Sequence, residues 1–418
     1  MNEQVDVVVL GLGHAGGYVT GALAESGLDV VGIEPRLVGG ERLPPGCFAD
    51  VTTGSVSGFS AARLAAGPVA VGRVGFVHGK GRLSGTRRVT VGGRTFRPRK
   101  GVVLATGAQP RLPSVRGPAG TPYWTDRNAL ATMELPESLI VLGSGGLGVE
   151  TAQLFARFRC AVTVVERQPR LLPQEEPEAS TLAERALRRD GVTVLSSTGV
   201  SEVGHDGTGF TVRLDGGREP LRAQRLLVTM EQEAGLVGLG ADTVGLDARA
   251  GAVPTDGQMR AGKGLWAVGD VTGPVSSDVA LYQAEVTVRD ILEWPGPDTD
   301  YGKPARLVFT DPEIAAVGLT ERQARNRRLR VRTSLLPINS FGTRGPRGRR
   351  REGFVKLVED ADRGVLVGAT SAGPAGAEVL YGLNVAVHAA MSVERLRSWV
   401  PACLPFHRTV EAALGGLG

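Results

Sequence analysis

The chain has 418 residues, 42% of them hydrophobic, with 48 basic against 43 acidic side chains. That is enough for two or three domains with ordinary cores, while a net charge of +5 is too small an excess for a dedicated nucleic-acid surface. Three cysteines cannot form a disulfide framework, no apolar run reaches the roughly 20 residues of a membrane span, and the first strand is entered by Val5, leaving no room for a signal peptide; a cytoplasmic protein is expected, with no membrane partner and no metal site.

The first motif along the chain is V-V-V-L-G-L-G-H-A-G. Val7–Leu10 is an apolar run of the length of a buried parallel strand. Gly11 permits a tight turn, Gly13 lets backbone approach a pyrophosphate, and Gly16 lets the following helix pack closely on the strand. Ala15, Val19, Ala22 and Leu23 give that helix an apolar stripe, and its N-terminus faces a phosphate. Val30–Ile33 predicts the next strand and ends at Glu34, placed to accept from ribose hydroxyls. Val102–Leu104 predicts a further strand that runs through Ala105 into the turn Thr106-Gly107.

The same fingerprint then recurs as L-I-V-L-G-S-G-G-L-G, with strand Leu139–Leu142 and glycines Gly143, Gly145 and Gly148. Leu147, Leu154, Phe155 and Phe158 supply the helix stripe, and strand Val162–Val165 ends at Glu166. Gly11 to Gly143 and Glu34 to Glu166 are both 132 residues apart, so the whole strand–turn–helix–strand unit is repeated and two nucleotide cofactors are expected in one chain. Cys160, at the head of a buried strand, reads as structural. Strand Leu265–Val268 runs into Gly269-Asp270. Near the C-terminus Gly353–Val358 and Gly364–Gly368 predict a hairpin, covered by a helix over 377–390. The arginine-rich stretch 344–351 is broken by glycines and a proline and predicts a solvated loop.

Taken with Phe309-Thr310-Asp311-Pro312-Glu313, these segments and their order resemble the pyridine nucleotide–disulfide oxidoreductases, over residues 5 to 415. The resemblance implies an α/β chain with two Rossmann-like domains, the second inserted in the first, followed by an α+β dimerisation domain. Residues 1–117 and 246–302 would bind FAD, 118–245 would bind NADH or NADPH, and 303–418 would form a homodimer. Gly11, Gly13, Gly16, Glu34, Thr106, Gly107, Gly269 and Asp270 would hold FAD, with Glu34 on the adenosine ribose and Asp270 on the ribityl chain. Gly143, Gly145, Gly148 and Glu166 would hold the nicotinamide nucleotide. Glu166 favours NADH by repelling a 2′-phosphate, while Arg167 and Arg170 keep NADPH open.

The chemistry departs from the family pattern. The redox pair is Cys-x-x-x-x-Cys, and here Arg42 stands at the first cysteine, leaving Cys47 at the place of the sulfur beside the flavin. Disulfide exchange needs an attacking and a resolving thiol. The family's lysine four residues later is Val51, while its glutamate partner is kept as Glu150, so burial is expected to raise that carboxyl's pKa unless backbone or water holds it as a carboxylate. The C-terminal His-Pro-Thr-x-x-Glu reads His407-Arg408-Thr409-Val410-Glu411-Ala412, so His407 keeps its place as acid/base and Glu411 is expected to point elsewhere. The strand Leu226–Val228 runs into Thr229-Met230-Glu231-Gln232-Glu233 rather than the family's closing Gly-Arg-x-Pro. Arg42 is expected to bind an anionic substrate group or to stabilise an anionic reduced flavin, and a Cys47–Cys403 pair across a dimer is a further possibility.

The expected function is an FAD enzyme that takes a hydride from NADH or NADPH and passes electrons to a non-disulfide acceptor: a quinone, oxygen or a small electrophile, within a biosynthetic pathway among other settings. Two alternatives stand beside it. One is a single-cysteine flavoprotein cycling Cys47 through a sulfenic acid or mixed disulfide; the other is a flavin-bound scaffold without reductase turnover.

Overall fold

The computed structural model describes residues 2–35, 74–110, 115–118, 120–125, 128–129, 132, 134–229, 232–273, 275, 277–298, 305–338, 352–398 and 405–417. They fall into two compact units, one built from the segments within 1–45, 60–113 and 231–300, the other from those within 114–230 and 301–418.

The first unit is a sheet whose strands lie in the order Arg260–Gly262, Leu265–Ala267, Arg94–Leu104, Asn2–Leu10, Val30–Glu34, Val74–His78. All neighbours after the first pair are parallel. Parallel strands need crossovers that cover both faces, which is why Val7–Leu10 and Val102–Leu104 are apolar on both sides and fully buried. The helix His14–Glu25 follows the first strand, burying Ala15, Val19 and Leu23; Ala22 stays half-exposed, and Ala24 is buried beside Leu23. A small antiparallel meander, Arg82–Leu83 and Val89–Val91, extends the sheet from Arg94–Leu104. The core gathers Val8, Leu10, Ile33, Phe96, Leu104, Leu236 and Ala267; each of the larger side chains removes apolar surface worth roughly 1.5–3 kcal/mol.

In this unit Ala108–Pro110 pairs antiparallel with Gln232–Ala234, with Ala108 opposite Ala234 and Pro110 opposite Gln232. The chain therefore leaves and re-enters the unit on adjacent strands.

The second unit holds a parallel sheet in the order Thr193–Leu195, Ala161–Val165, Ser138–Leu142, Arg225–Val228. Helices Gly146–Arg157 and Pro177–Arg189 accompany it. A five-stranded antiparallel sheet follows: Ala305–Val308, Glu313–Gly318, Val365–Gly373, Phe354–Asp360, Val331–Pro337. The predicted hairpin is its centre, joined by Phe354–Asp360 pairing with Val365–Gly373, and the predicted helix runs over Gly376–His388. Ile314, Phe354 and Ala372 of this sheet share one core with Leu139, Val149, Phe155 and Leu182. Among the described residues no helix is long and apolar enough to cross a membrane.

Candidate functional site

The first fingerprint is built from backbone restrictions. Gly11 adopts φ +92°, and a Cβ there would strike the Ala105 carbonyl. One on Gly16 would strike the Gly11 carbonyl and the Ala105 methyl, so these two positions pack the helix onto two strands at once. A Cβ on Gly13 would meet nothing within 4 Å. The middle glycine thus keeps a path open to the helix N-terminus, where unsatisfied N–H groups favour an anion. At the end of the second strand Glu34 accepts the Leu12 N–H through Oε2 at 2.8 Å.

Two further turns complete this end of the sheet. After Arg94–Leu104 comes Thr106, whose Oγ1 is buried without a hydrogen-bond partner, and Gly107 at φ +68°. After Leu265–Ala267 comes Gly269 at φ +77°, followed by Asp270 in the turn Gly269–Thr272. Asp270 Oδ1 accepts the Val275 N–H at 3.4 Å. An orphaned hydroxyl beside an open glycine at a helix N-terminus is a donor set suited to a flavin dinucleotide. Sequence reasoning missed two supports. Gln283, buried on the helix Ser277–Ile291, accepts the Gly269 N–H and donates to Thr272 Oγ1 at 2.9 Å. Gly235 donates to the Gly107 carbonyl at 2.9 Å, and a Cβ there would sit 2.8 Å from the Thr106 oxygen. A lone glycine after Glu-Ala is the only local signal for the second; the first has none.

The second fingerprint repeats the pattern. Gly143 adopts φ +102°, a Cβ on Gly148 would strike the Gly143 carbonyl, and a Cβ on Gly145 would meet nothing within 4 Å. Glu166 is buried. Its Oε2 accepts from the Ser144 N–H at 3.0 Å and the Ser144 hydroxyl at 2.6 Å, and its Oε1 from the Gln168 N–H at 2.6 Å. Arg167 is exposed. Arg170 instead turns to its own loop, donating to the carbonyls of Leu172 at 3.0 Å and Pro173 at 2.9 Å and to Ser180. Thr229 closes the strand Arg225–Val228 with a hydroxyl 3.2 Å from both the Leu142 and Gly143 carbonyls. Met230 and Glu231 lie outside the described residues, and Glu233 sits opposite Gln109 in the first unit.

Glu150 lies in the helix Gly146–Arg157, buried, with Oε1 accepting the Phe309 N–H at 2.9 Å. Burial pushes its pKa up to about 7, with the Phe309 hydrogen bond opposing. A backbone donor thus holds the carboxyl while desolvation outweighs it and raises the pKa. His407 and Thr409 lie in the helix Pro405–Gly415, Thr409 buried with an unpartnered Oγ1. Glu411 lies on the same helix, four residues after His407 and one before the family's glutamate position at Ala412. Cys160 is buried, its thiol pushed up to about 11 by desolvation, which makes it inert. Arg42, Cys47, Val51 and Cys403 lie outside the described residues.

Comparison with known proteins bears on this geometry. The family described as pyridine nucleotide-disulphide oxidoreductase matches residues 5–287, and that family's dimerisation domain matches 304–413. A dihydrolipoyl dehydrogenase of Zymomonas mobilis is 29% identical over 432 residues, covering 92% of each chain. A mercuric reductase of Streptomyces lividans is 33% identical over 305 residues, covering 72% of this chain and 64% of that protein. Among solved structures, the HOCl-induced flavoprotein disulfide reductase RclA from Escherichia coli, as its Cu(II) complex, superposes with a TM-score of 0.84 at 24% identity, covering 99% of both chains, a likeness of fold alone.

Proposed function

The chain belongs to the pyridine nucleotide–disulphide oxidoreductases, FAD-binding enzymes with NAD(P)H as electron donor, and from that premise we propose that it oxidises NADH and passes the electrons to an acceptor other than a disulfide. The observation that carries the acceptor reading is Arg42, which stands where the family has the cysteine that attacks its substrate. Of the family's cysteine pair only Cys47 stands in this sequence, which supports an acceptor different from that of a dithiol enzyme.

When bound, FAD supplies the two-electron chemistry, and the protein supplies binding, orientation and proton management. Gly13 and Gly145 admit the two pyrophosphates, and Glu34 and Glu166 take the adenosine riboses. NADH is the preferred donor, because the Glu166 carboxylate opposes a 2′-phosphate and Arg170 is committed to its own loop carbonyls. Glu150, with a pKa of about 7, holds a proton that it can give or take near neutrality. His407 is a second acid/base, and Arg42 binds an anionic group of the acceptor. Exposed Tyr381 and Val385, one turn apart on Gly376–His388, support a homodimer through the C-terminal segment.

The test is an anaerobic titration of the purified flavoprotein with NADH and NADPH, followed by a screen of quinones, oxygen, small electrophiles and disulfides. NADH is expected to bleach the flavin absorbance and a non-disulfide acceptor to restore it. Reoxidation fastest with lipoamide or glutathione disulfide would overturn the acceptor reading.

A further inference from the structure

The strand Phe354–Asp360 is buried along its whole length, yet it carries a lysine. A buried ammonium must be paired. Lys356 Nζ lies 3.0 Å from Glu176 Oε2, 2.9 Å from Glu178 Oε1 and 3.1 Å from Glu321 Oε2. Glu176, itself buried, also accepts the Glu321 N–H at 2.7 Å through Oε1. Beside this group Arg306 grips both oxygens of Glu175 at 2.8 and 3.1 Å and donates to the Gly318 carbonyl at 3.1 Å.

Glu175 and Glu176 end the loop that starts at Glu166 of the second fingerprint. Midway, Leu172 adopts φ +46°, a region a residue with a Cβ occupies at a cost. It is held there because its N–H donates to the Ser144 carbonyl at 3.0 Å. Ser144 is the residue between Gly143 and Gly145, and it also binds Glu166 through N–H and O–H. The Glu175 N–H in turn donates to the Leu172 carbonyl at 3.0 Å, so hydrogen bonds run from the fingerprint turn through Leu172 to Glu175, and the side chains of Glu175 and its neighbour Glu176 end on two cations of the C-terminal sheet.

We propose that Lys356 and Arg306 are positioning residues for the nicotinamide dinucleotide: by holding the 172–176 loop against Ser144, they set the turn that receives its pyrophosphate. This rests on the donor reading above. Neutralising Lys356 leaves Glu176 as a buried carboxylate without its cation, which drives that end of the loop toward water and releases Leu172 from Ser144. Removing both charges takes away that force.

Equilibrium binding of NAD⁺ to the flavin-loaded protein, measured by calorimetry, tests this together with steady-state NADH oxidation. Lys356→Met is expected to weaken NAD⁺ about tenfold and raise KM for NADH by a similar factor, with kcat changing less than about twofold. Lys356→Met with Glu176→Gln is expected to bring binding back to within about threefold of wild type. Arg306→Lys, which keeps the charge but loses the fork, is expected to weaken NAD⁺ about threefold and provides the measurement if the first variant does not fold. Unchanged NAD⁺ binding in Lys356→Met or Arg306→Lys, or no recovery in a folded double variant, overturns the proposal. Wild-type protein that binds neither NAD⁺ nor NADP⁺ overturns the donor reading and this inference with it; wild-type binding alongside unaffected variants overturns this inference alone.

Discussion

Glu34 and Glu166, 132 residues apart, make the same hydrogen bond: each accepts the N–H of the residue that follows the first fingerprint glycine, Leu12 at 2.8 Å and Ser144 at 3.0 Å. The carboxylate proposed to meet the ribose is thus also a strut that fixes the glycine turn. In the second copy the Ser144 hydroxyl and the Gln168 N–H reach the same side chain. Both oxygens of Glu166 are used before a ligand arrives. Its two roles can be separated by substitution.

Glu166→Gln is expected to lower stability by about 1–3 kcal/mol, because one acceptor becomes a donor facing the Gln168 or Ser144 donors. The same change is expected to weaken NADH and narrow its advantage over NADPH. Chemical denaturation and parallel NADH and NADPH titrations check it. A variant as stable as wild type would show that these three donors contribute nothing net.

The glycines divide into two kinds that respond differently. Gly145→Ala adds a methyl to open space and is expected to leave the thermal midpoint unchanged while weakening NAD⁺ at least tenfold. Gly148→Ala places a methyl on the Gly143 carbonyl and is expected to destabilise the unit by about 2 kcal/mol or more. Thermal shift measured beside calorimetric NAD⁺ binding separates the two, and an identical pattern for both would refute the assignment.

Glu150 gives the protein a pH signature. Its folded-state pKa of about 7 lies above its ordinary value near 4.5, so the stabilisation it provides is complete below 4.5 and is lost as pH rises through 7. Glu150→Gln keeps an oxygen for the Phe309 N–H and cannot ionise. Relative to wild type the variant is therefore expected to gain stability between pH 5 and 8, by about 2–3 kcal/mol at most. Denaturation curves at the two pH values decide it: a difference that does not change with pH would mean that Glu150 titrates at its ordinary value.

Cys47→Ser distinguishes the two redox readings. Transfer of electrons from NADH to a non-disulfide acceptor is expected to continue in this variant at a rate within about threefold of wild type, because no thiol takes part in that route. Loss of turnover would instead favour the single-cysteine cycle through a sulfenic acid or mixed disulfide. Stopped-flow reduction of the flavin by NADH, compared with full turnover, locates the affected step.

The parts of the fold that could be read from the sequence are those written in local backbone rules. Gly11, Gly16 and Gly148 announce their turns because a side chain there would collide with a neighbouring carbonyl, Gly143 because its φ is positive, and the strands beside them are apolar runs. Gln283 under Gly269 carries no such mark, because its value lies in a contact across 14 residues that only the folded helix creates. Lys356 is harder still: its partners Glu176 and Glu178 lie about 180 residues away, and an isolated lysine in an apolar strand reads as an interruption. Arg170 was legible only by residue type: its bonds to the Leu172 and Pro173 carbonyls come from the fold of its own loop.

The antiparallel pairing of Ala108–Pro110 with Gln232–Ala234 has a consequence for how such a chain could arise. Between these strands the chain makes a long excursion, yet it departs and returns through neighbouring positions of one small ribbon. A short reverse turn grafted across that ribbon would seal the first unit without moving its sheet, since the two ends already lie a strand's spacing apart. The ribbon is a socket: a second copy of the nucleotide-binding unit could be plugged in there as a cassette, leaving the core contacts within the first unit as they were.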